Sequence, residues 1–307
     1  MKKAITRLLS TGLLLAALVV PFASAAAGEA SEPGYIFTTI DFPNMRDIYV
    51  FDINPGGEIV GSYLTDKLHG FVGKPGNFRT IDYPAEGVQY TNVRGINPAG
   101  DIVGYYGKDG IMHPFLLTRH GEWSTLDYPG HAQSGFTRIL PDGTMLGTYF
   151  DASNYSDMRA VVRNREGGTI SVLDIPNTCP EGATPNAKTI VGYWGASPRG
   201  GNAGFIWEGG VFTHFYFSAT ANSTMAWDIS SDGHTIVGVF QDANLVPHGY
   251  IAERRGTSVD DWAFTQFDHP GAVATGLFGC NAAGDLVGRY KDASGKWHGF
   301  LASRTQR

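Results

Sequence analysis

The chain has 307 residues, with 23 Lys and Arg against 29 Asp and Glu. The resulting formal charge of −6 argues against a nucleic-acid partner, because an acidic surface repels phosphate backbones. Only 17% of residues are charged, 12% are aromatic and 41 are glycine, a balance that suits sheet packed on sheet with tight turns between.

Residues 1–25 begin basic at Lys2, Lys3 and Arg7, run apolar from Leu8 to Phe22 and end small at Ala23-Ser24-Ala25. They predict a secretory signal peptide rather than a membrane anchor, hence an exported bacterial protein, periplasmic or extracellular, with no membrane insertion after signal removal. No cysteine stands near the cleavage region to carry a lipid. The mature chain would hold a formal charge of −9. Residues 26–34 are expected to be a flexible N-terminus, and 35–307 a single domain without an internal linker. Cys179 and Cys280 are the only cysteines; their even count raises a disulfide, but they fall in different repeats, and pairing needs Cα atoms within ~7 Å.

The next segment, Phe37-Thr-Thr-Ile-Asp-Phe-Pro43, matches Phe78-Arg-Thr-Ile-Asp-Tyr-Pro84 further along. From there Ile-Val-Gly or a near variant recurs six times, at Gly61, Gly104, Gly147, Gly192, Gly238 and Gly288. A period this long in a strand-rich chain means stacked or radially arranged β units. The second unit shows the plan: strand-like runs at Asn92–Ile96, Asp101–Tyr106, His113–Thr118 and Trp123–Tyr128 are separated by turns such as Asn97-Pro98-Ala99-Gly100. The first unit repeats it at Val50–Ile53, Glu58–Leu64, His69–Val72 and Phe78–Tyr83. Arg254–Trp262 is expected to be a surface loop inserted in the fifth unit. The last unit ends at His298–Ala302 without a fourth strand, and Phe37–Pro43 is the piece it lacks. The expectation is an all-β, six-bladed β-propeller of four-stranded antiparallel blades, closed by the N-terminal strand completing the last blade. The glycine of Ile-Val-Gly is expected to let the neighbouring blade approach closely.

Two ionisable columns repeat. Histidine opens the third strand at His69, His113, His248 and His298, and Asp41, Asp82, Asp127, Asp174 and Asp268 stand late in the fourth. Hairpin geometry about Lys74–Asn77 places His69 opposite Asp82; the same logic pairs His113 with Asp127, His248 with Asp268, His298 with Asp41, and Arg159 with Asp174 in the third blade. The fourth blade loses both members at once, at Ala203 and Tyr216. Members that change together are cross-strand partners, spread one per blade rather than converging on a substrate or metal.

Departures from the period point elsewhere. One residue before Ile96 and its counterparts stand Asp52, Gly95, Arg138, Ala183, Asp228 and Gly279, with Arg94 and Trp227 one column earlier. First strands line a propeller axis, so Asp52, Arg94, Arg138, Trp227 and Asp228 are the candidate ligand-binding residues. The competing reading has Arg138 bridging Asp52 and Asp228 to fill the tunnel. A further column of aromatics, among them Tyr63, Tyr106, Tyr149, Phe240 and Tyr290, reads as interblade packing or as a stacking surface for a sugar or partner. No phosphate loop and no common hydrolase signature occurs, so no catalytic residue, metal or cofactor is assigned.

Gly95-Ile-Asn-Pro-Ala-Gly-Asp-Ile-Val-Gly-Tyr105 and His298-Gly-Phe-Leu301 resemble the repeats of the HAF family, named for a His-Ala-Phe tripeptide, across nearly all of 35–307. This chain departs in having Gly or Pro in the middle of that tripeptide, and its third and fourth repeats are degenerate. The resemblance implies an exported propeller-like repeat protein and transfers no reaction. The resulting expectation is a monomeric binding or interaction module for an unknown glycan, small molecule or envelope protein. The alternatives are a propeller-type hydrolase or lyase with its site at the tunnel mouth, and a structural envelope protein.

Overall fold

The computed structural model describes residues 34–131, 133–151, 154–256 and 261–305, with backbone alone at 154–156. The expected signal peptide, the expected flexible segment up to residue 33, and residues 257–260 of the fifth-unit insertion lie outside the described residues. The first strand is β1 (Tyr35–Ile40). Blade 1 holds β2 (Asp47–Ile53), β3 (Ile59–Leu64), β4 (Leu68–Lys74) and β5 (Asn77–Ile81). Blade 2 holds β6 (Val88–Ile96), β7 (Ile102–Lys108), β8 (Ile111–Leu117) and β9 (Trp123–Thr125). Blade 3 holds β10 (Gln133–Ile139), β11 (Met145–Asp151), β12 (Asn154–Arg163) and β13 (Thr169–Leu173). Blade 4 holds β14 (Thr178–Ala183), β15 (Thr189–Trp194), β16 (Ala203–Glu208) and β17 (Val211–Phe215). Blade 5 holds β18 (Ser223–Ile229), β19 (Thr235–Gln241), β20 (Pro247–Arg254) and β21 (Trp262–Phe267). Blade 6 holds β22 (Ala274–Cys280), β23 (Leu286–Lys291) and β24 (Trp297–Arg304), and its fourth strand is β1.

Strand β1 runs antiparallel to β24 from Tyr35 opposite Arg304 to Ile40 opposite Gly299, so the seam of the ring is a full strand pair. The first strands β2, β6, β10, β14, β18 and β22 each touch the next around the axis. Strand β9 is shorter than expected. Leu126 N still donates to Pro114 O at 3.1 Å, but Tyr128 N donates to Ser134 Oγ of blade 3, so the chain has already turned toward the next blade. Among the described residues no helix is long and apolar enough to cross a membrane.

Tight turns join the first two strands of each blade. In blade 1 the Asn54 side chain accepts Glu58 N at 2.9 Å and donates to the Glu58 carboxylate at 3.0 Å, while Gly57 takes a positive φ of 76° that favours glycine. The core lies between blades: Val60, Val72 and Ile81 of blade 1 meet Val93, Ile102 and Phe115 of blade 2, for example.

Every first strand carries a bulge, where the register slips past Phe51, Arg94, Thr137, Glu181, Trp227 and Phe278. This corrects the expected role of the Ile-Val-Gly glycine. A Cβ on Gly61 would lie 2.0 Å from Tyr49 O and 2.7 Å from the Phe71 ring, both in its own blade, and one on Gly104 would lie 2.0 Å from Asn92 O. The glycine makes room for the bulged strand beside it. Close approach between blades belongs to other glycines, Gly95 against Arg138 and Gly182 against Asp228.

Candidate functional site

The bulges bring two successive positions of each first strand to the axis, which is how charged groups from distant repeats meet. Blade 4 needs a correction here. Its turn after β14 runs from Thr184 to Thr189, one residue longer than Asn97–Asp101, so the counterpart of Arg138 is Gly182 rather than Ala183. The shift places Glu181, absent from the candidate set, in the column of Arg94 and Trp227. The sequence signal for it was a lone acid inside the otherwise uncharged Cys179-Pro-Glu-Gly-Ala183 run.

At the centre, Arg138 lies between two carboxylates. Its Nη1 meets Asp52 Oδ1, and Nη2 meets Asp228 Oδ1 at 2.9 Å. Its Nε donates to Glu181 O at 3.0 Å and Nη2 to Trp227 O at 3.4 Å, so one side chain links blades 1, 3, 4 and 5. The acids in turn clamp backbone: Asp52 accepts Ile53 N and, from the next blade, Ile96 N at 2.9 Å, and Asp228 accepts Ile229 N and, from the next blade, Cys280 N at 3.0 Å. Small residues at Gly95, Gly182 and Gly279 leave the space these contacts need; a Cβ on Gly182 would stand 2.7 Å from Asp228 Cα.

One layer along the axis, Arg94 Nη2 donates to Glu181 Oε2 at 2.6 Å across the ring. Its guanidinium carbon sits 4.0 Å from the centre of the Phe51 ring and 5.2 Å from that of Trp227, in a cluster with Tyr49 and Phe278. Arg94 Nε and Trp227 Nε1 have no hydrogen-bond partner among the described residues. Exposure of the six axial residues runs from 2% for Asp52 and Glu181 to 7% for Arg138.

Burial sets the electrostatics. It pushes the Asp228 carboxyl up to about 6, with the Asp52 charge adding to the rise and Arg138 opposing it. For Arg138 burial acts downward, but Asp228 and Asp52 outweigh it and hold the guanidinium firmly charged. Arg94 is likewise held up by Glu181 against its own burial. The Cys179 thiol, buried and donating to Glu181 Oε1 at 3.4 Å, is raised by desolvation, and it and Cys280 are both free thiols. The axis is a packed clasp of two guanidiniums and three carboxylates, without an exposed group poised for proton transfer.

The repeated pairs form a separate tier. His69 Nδ1 meets Asp82 at 2.8 Å, His113 meets Asp127 at 2.9 Å, His248 meets Asp268 at 2.8 Å and His298 meets Asp41 at 2.9 Å. Arg159 takes the same place opposite Asp174 at 3.3 Å. In blade 4, where both members are lost, Tyr216 Oη bonds Ser197 Oγ at 2.6 Å instead. Each histidine also stacks on the aromatic of its second strand, Tyr63, Tyr106, Phe240 or Tyr290. That ring in turn stacks on the residue after the aspartate, or after Tyr216 in its place, on the connection that enters the blade: Phe42, Tyr83, Phe217 or His269. The aromatic column is therefore sandwiched between the incoming connection and the histidine, which ties successive blades together.

No family model matches the sequence, and no curated protein matches it significantly. Among solved structures the fold is similar to TolB from Acinetobacter baumannii, with a TM-score of 0.51 and 11% identity, covering 85% of this chain and 64% of that one. It is also similar to a TolB candidate from Agrobacterium tumefaciens, with a TM-score of 0.51 and 15% identity, covering 71% of this chain and 74% of that one. The chain thus spans under two thirds of the Acinetobacter protein's length, and at these identities the likeness establishes the β-propeller fold.

Proposed function

We propose that the chain is an exported, non-catalytic propeller of the HAF-repeat kind, a monomer that binds a glycan, small molecule or envelope protein. The observation that carries this reading is that the charges converging on the axis satisfy one another. Acid–base chemistry needs a carboxylate or imidazole free to meet one substrate atom, and Asp52, Asp228 and Glu181 each already accept from an arginine. His69, His113, His248 and His298 lie in four different blades, each paired with an aspartate, which holds a rigid frame and leaves binding to the surface. Export rests on the signal-like residues 1–25, and kinship with HAF repeats rests on the turn and third-strand motifs.

The test is a thermal-shift screen of the purified mature chain against neutral and acidic oligosaccharides and an envelope extract, with chromatography of the same mixtures. A saturable rise in Tm without product is expected. Release of product from an oligosaccharide, abolished in a folded Asp228→Asn variant, would overturn the reading in favour of an axial enzyme.

A further inference from the structure

Where blades 1 and 2 meet, away from the axis, a cleft of about 420 Å³ opens between them. Aliphatic side chains such as Val72, Ile81 and Ile102 line it together with Trp123, and its charged residues are Glu58, Asp82, Arg79 and Arg119. Two departures from the repeat distinguish this seam. Arg79 lies opposite Val72, and the residues at the same hairpin position in the other blades are Ser124, Ser171, Thr213, Thr265 and Thr38. A guanidinium thus replaces a small hydroxyl in one blade of six.

The second departure is a latch left open. Arg165, in the β12–β13 turn, reaches back to the turn acid of the preceding blade, Asp101, at 2.6 Å. Arg119 occupies the same place in the equivalent β8–β9 turn, where Thr118 N donates to Glu122 O as Asn164 N donates to Gly168 O. Its counterpart acid is Glu58, whose Oε2 is held by Asn54 Nδ2 at 3.0 Å. Arg119 Nε turns instead to His120 Nε2 at 3.2 Å. Among the described residues neither Arg79 nor Arg119 has a carboxylate partner, although the chain as a whole is acidic.

We propose that this cleft binds a uronic-acid unit, a hydroxylated six-membered ring bearing a carboxylate. Both carboxylates of the lining are already engaged, Glu58 by Asn54 at 3.0 Å and Asp82 by His69 at 2.8 Å, so the two guanidiniums without a carboxylate partner call for an anion that they bind as planar forks. The indole and the aliphatic side chains of the lining call for an apolar ring face, and Glu58 and Thr118 supply acceptors for ring hydroxyls. This assignment rests on the reading of the chain as a binding module and names its site and ligand class.

Isothermal titration of the mature chain with D-galacturonate and D-glucuronate, beside galactose and benzoate, tests it. Uronates are expected to saturate, with galactose and benzoate at least about tenfold weaker because each lacks one of the two recognised features. Arg79→Thr, which installs the residue three other blades carry and is expected to melt like wild type, and Arg119→Met should each weaken uronate binding by about tenfold or more. Thr265→Ala, at the same position of another seam, should leave it unchanged. Absence of saturable uronate binding, equal binding by Arg79→Thr, or equal binding of galactose or benzoate would overturn the proposal. If envelope extract still raises Tm in that case, the cleft assignment fails and the binding-module reading stands; if it does not, both fail.

Discussion

The axis and the histidine tier hold the same ring by opposite means. The tier repeats one motif, part-exposed, each copy confined to one blade and the connections that enter and leave it. The axis repeats almost nothing: one arginine from blade 3 serves acids from blades 1 and 5, and one from blade 2 serves an acid from blade 4. A repeated contact can be lost in one blade and replaced locally, as Tyr216 and Ser197 do. An axial contact is shared by several blades at once, and nothing elsewhere in the ring duplicates it.

That contrast predicts its largest effect at Arg138. Arg138→Met leaves Asp52 and Asp228 facing each other without a cation and should cost about 3–5 kcal/mol in urea unfolding. Restoring neutrality with Asp52→Asn and Asp228→Asn in the same chain should recover part of the loss. A single variant as stable as wild type would remove the clasp from the account of ring closure.

Asp228 sharpens the comparison through pH. Its folded-state pKa of about 6 lies above the ordinary value of 3.8, so between these limits the folded chain binds the proton more tightly than the unfolded one. The contribution of this group to stability is therefore fully present below pH 3.8, is lost as pH rises through 6, and is constant above. The whole swing is up to about 3 kcal/mol. Asp228→Asn cannot titrate, so the stability difference between it and wild type should change between pH 4 and 7. Parallel curves for the two chains would rule the site out as the source.

Gly182→Ala comes next in size. Its Cβ would meet Asp228 Cα at 2.7 Å and Oδ1 at 2.9 Å, so two blades must separate. A loss of about 1–3 kcal/mol in thermal or urea unfolding is expected. An unchanged midpoint would mean that the close approach of blades 4 and 5 carries no energy.

The ring, its seam and the His–Asp pairs were all legible in the sequence, because period, turn residues and hairpin register are local properties. Lys74 opposite Asn77 and Gly70 opposite Ile81 confirm the register counted from the turn. The meeting of Arg138 with Asp52 and Asp228 was legible as a column. Glu181 was not: the Thr184–Thr189 turn, like Ser230–Thr235 in blade 5, is one residue longer than Asn97–Asp101, and blade 4 has Ala183 where blade 5 keeps Ile229 to mark the column. The role of that glycine was misread for a different reason. A sequence shows that a residue is small, but the neighbour that needs the room is a carbonyl of the bulged strand in the same blade. Arg79 was visible as a break in a Ser/Thr column once the hairpins are in register, whereas the disengaged Arg119 is a matter of side-chain geometry alone.

The smallest effect belongs to the tier, and His248 measures it. Its imidazole is 2.8 Å from Asp268, and although burial lowers its pKa, the hydrogen bond and charge of Asp268 outweigh that and leave it above 6.5. A histidine with a raised folded pKa stabilises fully below its unfolded pKa and gives that stability up as pH rises through the folded value. His248→Ala should therefore cost about 1 kcal/mol at pH 5.5 and less at pH 8, where the hydrogen bond and the stack on Phe240 survive without the charge. The cost should not depend on which other blade is altered, so His69→Ala and His248→Ala are expected to add. A combined loss far beyond the sum would show that the tier, like the axis, is one cooperative element rather than a set of independent blade-by-blade contacts.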